Sequence, residues 1–433
     1  MGKFVNSNQP LGAEMSHNRF RQGGIALAAL FLIWSTGCQD QPTDNTVILE
    51  NNESVLLERI DYKHEVIPLD TVFTGASRGQ AAVIDTIILT LVAEVQPPIY
   101  NGDTLQATDV KLKGKHAYVS YNYQGEVFLG GVDVFDIRTP DQPRLTSSVL
   151  FTDTDVNGVT RKGNDLYLAS ATENPDYSSP AILQKIQLQN DQLTDNITTL
   201  DIGSFAATDV DLAGNYIYVT SGADGGMISI VDKSTFTVFD TYPVEDARGV
   251  DADGGDVGVV AGTPARLVVL DGNLGSVIGD YTLTGATIPF SKSTIKIRKK
   301  KALLGVGDGG MQAICIQDGS LIAQIDQPLL SDLPPEKTVT NSVSADKRLL
   351  FMADGEAGVY VAATNSNLNS NNCSFDNLHM VGKFRFGTGQ SANHVEFNNN
   401  VLFVASGLGG LKILTVEFNN DHPDHDDEDD SDH

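Results

Sequence analysis

The sequence predicts an all-β protein, a seven-bladed β-propeller of four-stranded antiparallel blades. Two observations carry this. Seven segments share one register, anchored at Val110, Val159, Val210, Val250, Ile295, Val343 and Val395. Most place an aromatic or apolar residue eight positions after the anchor, on a second strand. The anchors recur at roughly 40–52 residues, the length of a propeller blade. Second, the units are short β-branched runs bounded by turn residues, without helical periodicity.

Each unit can be read strand by strand. "TDVKLKGKHAYVS" supplies the first two strands of the first unit and "NHVEFNNNVLFVASG" those of the last. A Gly-rich turn follows, as in "SGADGGMISIVD" (221–232), "GVGDGGMQAICI" (305–316), "MADGEAGVYVAA" (352–363) and "ASGLGGLKILTV" (405–416). Such a turn resembles a phosphate loop, but no helix follows to receive an anion. Its recurrence marks it as the joint between strands two and three, where Gly permits the turn. A fourth strand such as "STFTVFDTYPV" closes most units. The last unit stops after its third strand, at Phe418. An open ring would leave unpaired edges, so "DTIILTLVAEV" (85–95) is expected to complete the seventh blade and close the ring.

"GGVDVFDIRTPDQPRLTSSV" (130–149), preceded by "ATDVKLKGKHAYVS", resembles the LVIVD-repeat group of β-propellers. The resemblance covers about 107–418, and only the first unit carries the Pro-x-x-Pro ending. It implies a propeller fold and an exported location, and no defined catalytic residues.

Residues 1–37 read as a lipoprotein-type signal peptide. Met15 opens it, Arg19 and Arg21 form a basic region, and residues 25–34 are apolar. That run is too short for a membrane-spanning helix. Ser35-Thr36-Gly37-Cys38 resembles a lipobox, which makes Cys38 the lipidation site and the acyl chain the membrane anchor. Residues 38–60 read as a tether, 61–418 as the propeller, and 419–433 as an acidic tail that cannot bury a core. The expected location is the outer membrane, on its periplasmic side or at the cell surface. Net charge −27 argues against nucleic acid, whose phosphates need a basic face. Two cysteines remain. Cys315 lies in an apolar strand and is expected to be a buried free thiol; pairing with Cys373 stays open.

In a propeller the first strands line the channel, and their entry loops share a face with the turns between strands two and three. The entry positions Asp109, Asn157, Asp209, Arg248, Asn341 and His394 and the turn residues Asp224, Asp308 and Asp354 are therefore the candidate ligand-binding set. Asp153, Asp155 and Asn157, followed by Gly158, match the first half of a calcium loop, although position twelve is Asn164. "GASRG" (75–79) matches a nucleophile elbow, but a strand-like run follows where a helix is required. "KSTIKIRKKK" (292–301) puts Lys299, Lys300 and Lys301 in a solvated turn on the opposite face.

The expected function is binding, as a scaffold or accessory module for an envelope protein or glycan. The alternative is a propeller enzyme, a metal-dependent hydrolase or lactonase-like, with its site at the channel mouth. That would require several carboxylates or imidazoles to converge there, and only His394 is a mouth histidine.

Overall fold

The computed structural model describes residues 46–70, 86–222, 225–289 and 291–419. Seven antiparallel sheets form the blades, with innermost strands Gln106–Lys113, Thr154–Lys162, Ala206–Ala213, Ala247–Asp253, Thr294–Arg298, Ser342–Asp346 and His394–Asn398, numbered here as blades 1 to 7. In blades 1 to 6 the next three strands follow outward in chain order. Each anchor is at most 6% exposed. The core is seven apolar clusters, one at each junction between successive blades. At the junction of blades 1 and 2, for example, Val134 and Tyr118 pack on Val159 and Leu168. Both faces of a middle strand are thereby buried, which explains runs such as "GGVDVFD" (130–136), buried throughout.

Blade 7 closes as expected. Thr86–Val95 pairs antiparallel with Leu411–Asn419, Leu91 opposite Leu414. The chain before it adds something the sequence reading did not assign. Val47–Glu50 pairs with the outer strand of blade 1, and Ile60–Ile67 pairs with Thr86–Val95. Those two sheets therefore have five strands, not four. Asp70 then bridges Lys383 on the outer strand of blade 6. Residues 46–70 are a belt over the outer edges of three neighbouring blades, which corrects the tether reading for 46–60. An outer edge strand has unpaired N–H and C=O groups, and the short run "VILE" covers them. Arg59 fixes the belt, its Nη1 and Nη2 reaching the Asp133 carboxylate at 3.0 and 2.5 Å. Asp133 is fully buried.

Two further expectations are corrected. Cys315 is not a free thiol: it forms a disulfide with Cys373, which lies on the long connection between the last two strands of blade 6. Nor is Lys301 a solvated turn residue. It is buried, and its ammonium donates to the carbonyls of Ser370 and Asn372 (2.5 and 2.7 Å) on that same connection. The segment docks on blade 5 and satisfies the lysine there. The signal, Cys38, "GASRG" and the tail from 420 on lie outside the described residues.

Candidate functional site

The channel is built by the period of two in each innermost strand. The anchor points between blades, so its neighbours point inward. The residue before each anchor forms an upper ring: Asp109, Gly158, Asp209, Gly249, Thr294, Ser342 and His394. The residue after it forms a lower ring: Lys111, Thr160, Asp211, Asp251, Lys296, Ser344 and Glu396.

Both rings serve the innermost strands, which are edge strands with unpaired N–H groups. In the upper ring Asp209 accepts the Val250 N–H (2.9 Å), Asp109 that of Val159 (3.4 Å) and Ser342 that of Val395 (3.4 Å). In the lower ring Asp211 accepts from Ala252 (3.1 Å), Asp251 from Ile297 (2.8 Å) and Ser344 from Phe397 (2.9 Å). Each side chain thus satisfies a backbone donor on the next blade. Gly158 stands where Asp209 approaches: a Cβ there would lie 2.7 Å from the Asp209 Oδ1.

The lower ring is charged and internally paired. Lys111 reaches Asp211 (3.0 Å) and Asp251 (3.1 Å), and Lys296 reaches Glu396 (2.8 Å). Burial opposes the charge on Lys111, but Asp211 and Asp251 outweigh it and hold its pKa well above the usual lysine value. Burial likewise acts against the Asp251 charge, and Lys296 and Lys111 overcome it, holding its pKa at about 2.

The upper ring is more finely balanced. His394 Nδ1 accepts the Val110 N–H (3.4 Å), and Nε2 lies 3.2 Å from Asp109. That places the proton on Nε2 of a neutral ring. Burial drives the His394 pKa down to about 4, against the pull of Asp109. Burial and the neighbouring Asp109 raise the pKa of Asp209. Burial raises the Asp109 pKa, but the Nε2–H of His394 and the Lys292 and Lys111 ammonium groups outweigh it and lower the pKa. Lys292, from the entry of blade 5, donates to the Thr108 carbonyl on blade 1 and so bars the mouth.

The residue two before each anchor has a different task. In blades 1 to 4 it is a β-bulge, which turns its side chain toward the next blade. Thr108 donates to the Val156 carbonyl (3.2 Å), Asn157 to Ala207 (2.8 Å) and Thr208 to Ala247 (3.0 Å). Asn341 donates to Ala392 (3.0 Å) and Asn393 to Ala107 (3.0 Å). Arg248 pairs with Asp246 (2.6 Å) and reaches Ser291 (2.9 Å).

The candidate set therefore separates. Asp109, Asp209 and His394 share the upper ring. Asn157, Arg248 and Asn341 staple blades together. Asp308 accepts from the Thr287 N–H at 2.7 Å. Asp354 is buried and accepts from the Thr340 hydroxyl. Asp224 lies outside the described residues. Asp153, in the bend before blade 2's first strand, accepts from Thr154 (2.9 Å), and Asp155, within that strand, accepts from the Leu129 N–H (3.0 Å). Among the described residues, no three or more His, Cys, Asp or Glu are grouped to hold a metal ion. Sequence reasoning missed the lower ring and Lys292. Counting one position past each anchor would have found the ring, because all seven residues there are polar.

No protein family and no curated protein matches the sequence. Among solved structures the chain is similar to BamB from Moraxella catarrhalis, with 13% identity and a TM-score of 0.48, over 87% of this chain and 99% of that one. It is also similar to the computationally designed protein Ika8, with 12% identity and a TM-score of 0.43, over 82% of this chain and 98% of that one. The propeller assignment rests on the strand pairing above. Among the described residues no helix is long and apolar enough to cross a membrane.

Proposed function

We propose that the chain is a lipid-anchored envelope propeller that works by binding a protein or glycan on its outer surface. One observation carries this reading: the polar groups of the channel and its mouth are engaged in holding the blades together. Lysines face carboxylates in the lower ring, carboxylates accept backbone N–H groups, and Lys292 bars the entrance. What faces solvent is the rim. The belt covers blades 1, 7 and 6, and exposed Val238, Phe239 and Ile278 lie on the outer strands of blades 3 and 4. Apolar side chains on uncovered edge strands suit a partner surface. The resemblance to LVIVD-repeat propellers and the lipobox-like Ser35–Cys38 segment support the envelope location.

Crosslinking the acylated protein in intact membranes, followed by pull-down, tests the reading. Recovery of an envelope partner is expected. No partner, together with turnover of a lactone or phosphoester by the purified protein, would establish the enzyme instead. Cys38→Ala is expected to release the protein from membranes; continued attachment would refute the anchor.

A further inference from the structure

We propose that the turn between the first two strands of blade 1 holds an anion site for a phosphate group. The turn, Lys113-Gly114-Lys115-His116, is on the face opposite the mouth. It borders an open surface depression of about 360 Å³ lined also by Arg161, Gly163 and Asp191 from blade 2. Three permanent cations face one carboxylate there, in a chain of net charge −27.

The charges are unequally engaged. Arg161 is committed: Nη2 meets Asp191 at 2.5 Å, Nε donates to the Gly163 carbonyl at 2.7 Å, and Nη1 meets the Tyr118 hydroxyl. Lys113 and Lys115 are exposed and, among the described residues, have no side-chain hydrogen bond or ion pair. Burial lowers the His116 pKa against the pull of Asp191, which lies 3.8 Å from its Nε2, and the Arg161 charge lowers it further.

This donor set selects the ligand. A planar carboxylate is best held by a guanidinium fork, and Asp191 already occupies that of Arg161. Two ammonium groups without partners among the described residues, beside an imidazole, suit a tetrahedral anion with several acceptor oxygens. A second depression of about 300 Å³ shares Gly114 and Lys115 and adds Arg138, Asn399 and the apolar Phe403. It leaves room for an uncharged part of the same molecule. The shared chemistry is phosphate, in a soluble ester or in a lipid headgroup.

The test uses purified protein carrying Cys38→Ala, so that no acyl chain contributes. The probes are inorganic phosphate, by calorimetry, and vesicles of phosphatidylcholine with or without phosphatidylglycerol, by co-sedimentation. Salt is held at about 0.15 M to screen distant charges. Binding of at least one probe is expected. Lys113→Gln/Lys115→Gln should weaken it at least about tenfold with the melting temperature unchanged. Lys299→Gln/Lys347→Gln, an equal charge change at exposed positions of the same face, should leave it intact. Binding of free phosphate alone assigns a soluble ligand, and binding of the phosphatidylglycerol vesicles assigns a headgroup. Failure of both probes, or an equal loss in both double variants, overturns the site.

Discussion

Asp354 shows how a single enclosed carboxyl sets a pH dependence. Burial raises its pKa to about 7, against the opposing Thr340 hydroxyl. The folded chain therefore holds a proton there that the unfolded chain releases near pH 4. Between those values folding takes up a proton, so the contribution of Asp354 to stability is present in acid and is lost as pH rises through 7. Asp354→Asn should remove that loss and exceed wild-type stability at pH 8 by a few kcal/mol, read as the difference in melting temperature across pH 4 to 8. Arg59 is the converse case. Arg59→Ala would strand the buried Asp133 charge and should cost about 3–5 kcal/mol in urea unfolding; adding Asp133→Asn should restore part of it. At this scale the sequence was half legible. It showed that Asp109, Asp209 and His394 are polar at the channel end of a strand. It did not show that the position before Asp109 and Asp209 bulges, because a bulge depends on pairing with the next strand. That displacement separates Asn157 and Arg248 from the ring, while Asn341 lies just before its strand.

The Gly-rich turns are joints, and the structure gives the reason for the glycine. Gly310, Gly358 and Gly410 have positive φ, and a Cβ on each would lie 2.0–2.2 Å from a carbonyl at the end of the same blade's outer strand. Gly410→Ala, 2.0 Å from the Val95 carbonyl, should destabilise by more than the about 1–3 kcal/mol of backbone strain alone. Gly163→Ala shares the positive φ but meets nothing within 4 Å, so it should cost only about 1–2 kcal/mol. Thermal unfolding of the two variants checks the contrast. Cys373→Ser removes the covalent link between the blade 6 connection and blade 5. With the cysteines 58 positions apart, chain entropy predicts a loss of about 4 kcal/mol, measurable as a shift in the urea midpoint. The belt was illegible for a reason of length: Val47–Glu50 is a four-residue strand, too short for alternation to distinguish it from a linker. Its partner, moreover, lies a hundred residues away.

For the molecule as a whole, the repeat made the architecture legible. One apolar anchor per unit maps onto one cluster per blade junction, and the missing strand of the last unit pointed to Thr86–Val95. Repetition conveys nothing about features that occur once: the belt, the disulfide, Lys292 across the mouth. Closure itself can be tested. Leu91→Asp places an unpaired charge in a junction where Leu91 is 4% exposed. It should open blade 7, seen as early elution in size-exclusion chromatography and loss of a single unfolding transition. The closing pair also sets an order of events during synthesis. Thr86–Val95 leaves the ribosome more than three hundred residues before its partner Leu411–Asn419, and the belt strand Ile60–Ile67 pairs with Thr86–Val95. These two early strands must wait for the last. A chain cut short before Leu411 would keep a ten-residue apolar strand without its inner neighbour, so completion of the ring doubles as a check that translation reached the final blade.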